Sequence, residues 1–172
     1  MRTIKLEAYN KKWKKDFKKE IIKIKAFLSK ELIGAYHIGS TAILGIKAKP
    51  TIDILLEVNS INNIDKYNDN FIKFAYTPKG ENGIKERRFF QKGGKNRTHH
   101  IHVFQQGNPE IKRHILFTGF LNAHQENAIA YEKLKIELST KYNNQPNKYS
   151  QGKSSFIQKI DDLARDWNKN VI

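Results

Sequence analysis

Thr51 to Val58, reading Thr-Ile-Asp-Ile-Leu-Leu-Glu-Val, narrows the folds open to this chain more than any other segment. β-Branched and apolar residues crowd it, Pro50 precedes it and Asn59 ends it, so it reads as a strand buried in a sheet. Alternation along a strand sets Asp53 and its period-two neighbours on one face and Ile52, Ile54 and Leu56 on the other, with Asp53 pointing away from the core. A lone Asp amid Ile and Leu is costly to bury without a partner, so a metal ion, a basic side chain or water must satisfy it. With 172 residues, 38% of them hydrophobic, the chain can bury a proper core, and no shift in composition divides it, so residues 1–172 read as one domain.

On either side of this strand the pattern is helical. Trp13, Phe17, Ile21, Ile24 and Leu28 share one stripe of a helix expected from about Lys11 to Lys30, with lysines on the other faces. Ala35 to Ile38 is short and leads into the turn Gly39-Ser40-Thr41. After the central strand, Asn59 to Asn70 reads as a short helix and Phe71 to Tyr76 as a return toward the sheet; Thr77 to Gly83 is a loop. Arg87 to Gln91 and Thr98 to Gln105 form a hairpin through Gly93-Gly94. Three helices follow: Glu110 to Ala123, Glu126 to Thr140 with Ile129, Leu134 and Leu138 buried, and Ser154 to Trp167 with Phe156, Ile160, Leu163, Ala164 and Trp167 buried. The order of helix, sheet and helices gives an α/β (α+β) class.

The charge balance, 32 Lys and Arg against 17 Asp and Glu, favours phosphate-bearing partners. An AT-rich coding bias toward Lys, Asn and Ile explains much of that surplus, and the basic residues are diffuse. No stretch resembles an RNA-recognition strand, a zinc finger or a dsRNA-type module, so nucleic acid is a less favoured partner than a nucleotide or phosphorylated small molecule. No apolar run is long enough to span a bilayer, and Met1 to Glu20 lacks a signal-peptide core, so a cytoplasmic protein away from membranes is expected. With no cysteine, any divalent metal (Mg²⁺, Mn²⁺ or Zn²⁺) must be held by Asp, Glu or His.

Two constellations carry chemistry. In His37-Ile38-Gly39-Ser40-Thr41, glycine leaves the backbone open and hydroxyls stand next to it, which suits a phosphate cradle, although Gly-Ser-Thr is also a common turn. Lys49 follows, and then Asp53 as the candidate catalytic carboxylate. Glu57 shares the Asp53 face, but four strand residues span about 13 Å, too far for ligands that each lie about 2 Å from one Mg²⁺. The position two along from Asp53 is Leu55, so a carboxylate pair is incomplete. In Thr98-His99-His100-Ile101-His102-Val103, His100 and His102 share a face and offer a grip for a metal or a phosphate, while His99 suits a backbone-partnered role on the half-buried strand. Arg87, Arg88, Arg97 and Arg113 lie near these segments, with Arg88 the candidate for bidentate phosphate binding.

The His-Ile-Gly-Ser-Thr turn, Lys-Pro-Thr-Ile-Asp-Ile, Arg-Arg-Phe-Phe, His-His-Ile-His-Val and Arg-His-Ile-Leu-Phe, in this order, resemble the GrpB family nearly end to end. Tyr9 and Trp13, the Tyr131-Glu132-Lys133-Leu134-Lys135 helix and Gly152-Lys153 extend the likeness. The resemblance implies a nucleotidyltransferase-like mixed β-sheet packed by an N-terminal helix and C-terminal helices. It also implies a Gly-Ser turn that holds nucleotide phosphates and strand carboxylates that hold metal ions. Carried over, Gly39, Ser40 and Thr41, with Lys49 and Arg88, would bind phosphate, and Asp53, with His100 and His102, would hold a metal, while Leu55 departs from the second carboxylate. Phe117-Thr118-Gly119-Phe120-Leu121 stands where the family has Phe-Arg-Asp-Tyr-Leu, which bears on substrate or activity. The expected function is metal-dependent nucleotidyl or phosphoryl transfer on a nucleotide or coenzyme-like ligand, with a non-catalytic phosphate-binding module as the alternative.

Overall fold

The chain, described over residues 3–170 by a computed structural model, opens with α1 (Lys12–Leu28). The apolar stripe of α1 buries Trp13, Ile24 and Leu28, while Lys14, Lys15, Lys18 and Lys25 are exposed. Next come β1 (Leu32–Ile38), β2 (Ile52–Val58), α2 (Asn68–Lys73), β3 (Tyr76–Pro78), β4 (Arg87–Lys92) and β5 (His99–Gln105). Among the described residues four helices follow the sheet: α3 (Pro109–Ala123), α4 (Gln125–Lys141), α5 (Pro146–Gly152) and α6 (Ser154–Asn170).

The strands form one mixed sheet in the order β1-β2-β5-β4-β3. The β2–β5 pair is parallel, and the pairs β1–β2, β4–β5 and β3–β4 are antiparallel. This arrangement sets the two strands richest in candidate site residues side by side in the middle, with Asp53 opposite His100 and Leu55 opposite His102. Both strands are central, so the backbone polar groups of this segment are spent on neighbours and the side chains are held in fixed register.

Both faces of the sheet are covered. On one, Ile52, Ile54, Leu56, Val58, Ile101 and Val103 pack with Trp13, Ile24 and Leu28 of α1 and Phe71 of α2. On the other, Ile38, Leu55 and Phe104 pack against Ile111 of α3. The sequence expectation that the Asp53 face turns from the core is therefore corrected: Leu55, two residues from Asp53, is 0% exposed. The C-terminal helices supply the cover. They also build a core of their own, in which Phe117, Leu121, Tyr131 and Ile160 enclose Ile43 and Ile46 from the β1–β2 connection.

Helix α4 buries Ala128, Tyr131, Lys135 and Leu138, a stripe that leaves Ile129 47% exposed instead of buried. In α6 the buried pair is Ile160 and Ala164, and Leu163 falls outside it at 38% exposure. α5 lies between the second and third of the expected C-terminal helices, where no helix is expected, because Pro146 there starts a helix, a position where its missing N–H costs nothing. Among the described residues, no helix is long and apolar enough to cross a membrane.

Candidate functional site

The site is a row of side chains across the sheet. Register places Ile38, Asp53, His100 and Gln91 side by side on β1, β2, β5 and β4, and Tyr36, Leu55, His102 and Phe89 in the next row. His100 and His102 flank Phe89, with ring centroids 5.4 and 5.0 Å away.

Asp53 Oδ1 lies 3.1 Å from His100 Nδ1 and 3.7 Å from His102 Nε2, and the Asp53 side chain is 29% exposed. Burial raises the Asp53 pKa, but hydrogen bonds and charge from the two imidazoles outweigh it and hold the carboxyl well below the usual carboxylate range. Burial lowers the His102 pKa, against the pull of Asp53.

Hydrogen bonding fixes the tautomers of both rings. Arg87 Nη1 lies 3.4 Å from His102 Nδ1, and because a guanidinium only donates, Nδ1 accepts and neutral His102 carries its proton on Nε2, toward Asp53. His100 donates from Nδ1 to the Asp53 carboxylate, which leaves its lone pair on Nε2, a buried atom with no hydrogen-bond partner among the described residues.

A metal ligand needs a free imidazole lone pair, yet both nitrogens that face Asp53 carry protons. Among the described residues, no group of three or more His, Asp or Glu is set to hold a metal ion. As arranged, Asp53 cannot share one ion with His100 Nδ1 or His102 Nε2 unless those nitrogens first lose the protons they turn toward it, and among the nitrogens of the two rings only His100 Nε2 keeps a free lone pair.

Gly39 closes the site from β1. Its φ of +71° with ψ near −173° is open to glycine and costly for other residues, and a Cβ there would lie 2.6 Å from Asp53 Oδ2. The backbone of the turn thus approaches the carboxylate as only glycine allows. Gly39→Ala should destabilise the fold by about 2 kcal/mol and push Asp53 out of line with His100. Denaturant melts, with the His100 ring NMR signal as the local probe, would check both effects.

Ser40 shares a side-chain hydrogen bond with buried Tyr131 of α4. Thr41 is committed inward: its hydroxyl donates to the Thr51 carbonyl (3.4 Å) and meets His37 Nε2 at 2.9 Å, so it ties the turn to β2. The His37 ring stacks on Phe17 at 5.0 Å. Lys49 lies over the Tyr149 ring, 4.0 Å from its centroid.

The two arginines of β4 separate by face. Arg88, expected to bind phosphate, projects to the opposite face and grips Asp65 with Nε–Oδ1 2.7 Å and Nη2–Oδ2 2.9 Å, so it is not brought to Asp53. Arg87 occupies the Asp53 face, 5% exposed, and donates to the carbonyls of Glu81 (3.1 Å) and Asn82 (2.7 Å) as well as to His102. Glu57 accepts a 3.0 Å hydrogen bond from Tyr36, away from Asp53. His99 points to the face of Ile101, and its Nδ1 meets Thr98 Oγ1 at 3.0 Å.

Helical residues that sequence reasoning did not assign to the site complete it. Lys153, at the α5–α6 junction, is half-buried; burial lowers its pKa and the Asp53 carboxylate raises it. Lys135 is 1% exposed, donates to the Lys47 carbonyl and is brought down to about 7 by burial. His114 of α3 stands 5.7 Å from His102. Thr118 and Gly119, where the resemblance expects Arg and Asp, lie farther along α3, with Thr118 buried and Gly119 facing Trp167. Cavities of about 520 Å³ between α3 and α6 and about 490 Å³ beside α1 lie away from Asp53.

Residues 3–163 match the family described as GrpB protein. UPF0157 protein YqkA of Bacillus subtilis is 44% identical over 168 residues, which cover 98% of this chain and 49% of YqkA. The Glutamate-rich protein GrpB of Alkalihalophilus pseudofirmus is 32% identical over 160 residues, covering 90% of this chain and 92% of that protein. The crystal structure of conserved protein GrpB from Enterococcus faecalis superposes with a TM-score of 0.91 at 34% identity, over 95% of this chain and 99% of that one. The chain therefore spans about half the length of YqkA and nearly all of the other two.

Proposed function

As the chain belongs to the GrpB family, we propose that its Asp53 face binds the phosphate of a nucleotide or coenzyme-like small molecule and serves nucleotidyl or phosphoryl transfer. One observation carries the reading. A single carboxylate, Asp53, is met by His100 and His102, with Arg87 behind His102 and Lys153 within electrostatic reach, beside the open backbone of Gly39 and Ser40. Cations and N–H donors outnumber anions there, which favours an incoming anion.

In this reading Gly39, Ser40 and Lys49 receive phosphate oxygens, and Asp53 holds the Nδ1–H of His100 and so fixes the orientation of its ring beside them. A cytoplasmic setting suits such a ligand. Buried Leu55 favours a second reading, in which the site binds the phosphate ligand without turning it over, because no second carboxylate stands where two-metal transfer would need one.

A thermal-shift panel of nucleotides and coenzyme precursors, with and without Mg²⁺, Mn²⁺ or Zn²⁺, on wild type and Asp53→Ala, tests this proposal. Transfer by the Asp53–His100 pair predicts stabilisation by a ligand in both proteins and turnover of that ligand only in the wild type. Stabilisation without turnover in either selects the binding module. A requirement for both a metal and Asp53 would restore the metal-dependent form, and silence across the panel would remove the phosphate reading altogether.

A further inference from the structure

Helix α1 packs on the sheet face opposite Asp53 and turns a strongly basic face to solvent. Seven of its seventeen residues are lysine and two are acidic. With about 3.6 residues per turn, Lys11, Lys14, Lys15, Lys18, Lys19 and Lys25 fan out around Ile22 on the arc opposite the buried Trp13, Ile24 and Leu28, and all seven are exposed. Both carboxylates of the helix are drawn off this arc: Asp16 pairs with Lys12 at 2.7 Å, and buried Glu20 accepts from Lys92 at 2.6 Å and Lys23 at 3.3 Å. Among the described residues, none of the six outward lysines forms an ion pair with a carboxylate. Lysines one turn apart, Lys14 with Lys18 and Lys15 with Lys19, therefore repel each other without relief.

An extended array of negative charge relieves that repulsion, whether a nucleic-acid backbone or a layer of lipid headgroups. Ile22 decides between them. It is 71% exposed at the centre of the lysine arc, where a phosphate backbone gives it no apolar contact and the acyl boundary beneath lipid headgroups does. At the flank of α1, where Phe27 stacks on Phe74 at 5.6 Å, Phe74 and Ile72 are exposed as well and add apolar surface. From Lys11 to Lys25 the stripe runs about 21 Å, long enough to engage several headgroups. We propose that the outward face of α1 docks the protein on anionic phospholipid, the lysines meeting the headgroup anions and Ile22 entering between them. This mode needs no spanning helix. Because α1 covers the sheet face opposite Asp53, the docked protein keeps its candidate site turned from the lipid.

Co-sedimentation of the full chain with vesicles tests the docking face. At about 0.1 M salt, vesicles with about 30 mol% phosphatidylserine should bind at least about tenfold more tightly than pure phosphatidylcholine, and about 0.5 M salt should remove the difference. Lys15→Ala with Lys18→Ala should weaken binding to the anionic vesicles at least about tenfold, and Ile22→Ser about fivefold. Lys112→Ala with Lys159→Ala, a pair of equal charge on α3 and α6, should weaken it less than about threefold. All five positions are exposed, so the variants keep the fold. Equal binding to the two kinds of vesicle, or an equal loss in the two lysine pairs, overturns a docking face on α1. A short DNA duplex bound more tightly than the vesicles, with Ile22→Ser without effect on either, assigns the face to nucleic acid and overturns the lipid partner.

Discussion

Leu55→Asp, the substitution that would restore the missing carboxylate, should remove a large share of the protein's stability. Leu55 is 0% exposed and packs with Ile38, Phe104 and Ile111, with Tyr36 at the margin. The change forfeits the buried leucine and places a carboxyl among apolar neighbours. His102, its partner across the sheet, already presents one nitrogen to Asp53 and the other to Arg87. Lost packing together with an unpartnered polar group costs more than about 4 kcal/mol, against a total stability of about 5–15 kcal/mol for a domain. Leu55→Met, which conserves volume, should cost less than about 1.5 kcal/mol. Urea denaturation of both variants would check this, and a Leu55→Asp protein as stable as wild type would show that the Asp53 face is not packed as described. Leu55 is thus fixed by the fold, and the helices that cover it prevent a simple return to a carboxylate pair.

Acid should destabilise the protein steeply between pH 6.5 and pH 4. Burial pulls His37 from 6.5 down to about 4 and His114 from 6.5 down to about 3, the latter with help from Arg113 and His102. Both folded pKa values lie below the unfolded value. As pH falls below 6.5 the unfolded chain takes up protons that the folded chain refuses, so stability is complete above 6.5 and is lost toward the folded values. The two rings together account for on the order of 5 kcal/mol by pH 4. Asp53, held below the carboxylate range, adds a loss only at still lower pH. The urea midpoint should therefore drop sharply from pH 7 to pH 4.5, and His114→Gln should flatten the profile while retaining an acceptor for Arg113, whose Nη2 lies 3.1 Å from His114 Nε2. A midpoint that holds constant over this range would show that these rings are hydrated.

The sequence made the centre of the fold legible and its margins less so. β2 is legible because an apolar run after Pro50 has few alternatives, and observed Ile52–Val58 differs from the expected strand by one residue. The shared face of His100 and His102 follows from alternation alone. Arg87 and Arg88 show where alternation needs help: Phe89 and Phe90 are both buried, at 5% and 1%, so burial does not mark which arginine turns toward Asp53. Pairing with β5 settles it, since Phe89 stands opposite His102 and Arg87 lies two residues before it on the same face. A sequence count back from that pairing could have found Arg87.

Lys153, Tyr149 and Lys135 carry no such signal. They reach the site from helices far along the chain, and a lysine destined for burial reads like any solvated one until the helix stripe containing Tyr131 and Leu138 is seen to run through it. The family likeness quoted Tyr131, Lys135 and Lys153 without assigning them to the site, and the structure brings them beside it.

Histidine-ring NMR during a nucleotide titration tests the central claim most directly. Long-range ¹H–¹⁵N spectra report the protonated nitrogen of each ring, and the account predicts Nδ1–H for His100 and Nε2–H for His102 in the free protein. On addition of ADP, these two rings should shift saturably, while His99 on the opposite face and His124 beside Trp167 stay in place. Rings of His100 and His102 that ignore the ligand, or a response confined to His99 or His124, would contradict a phosphate-ligand site at Asp53.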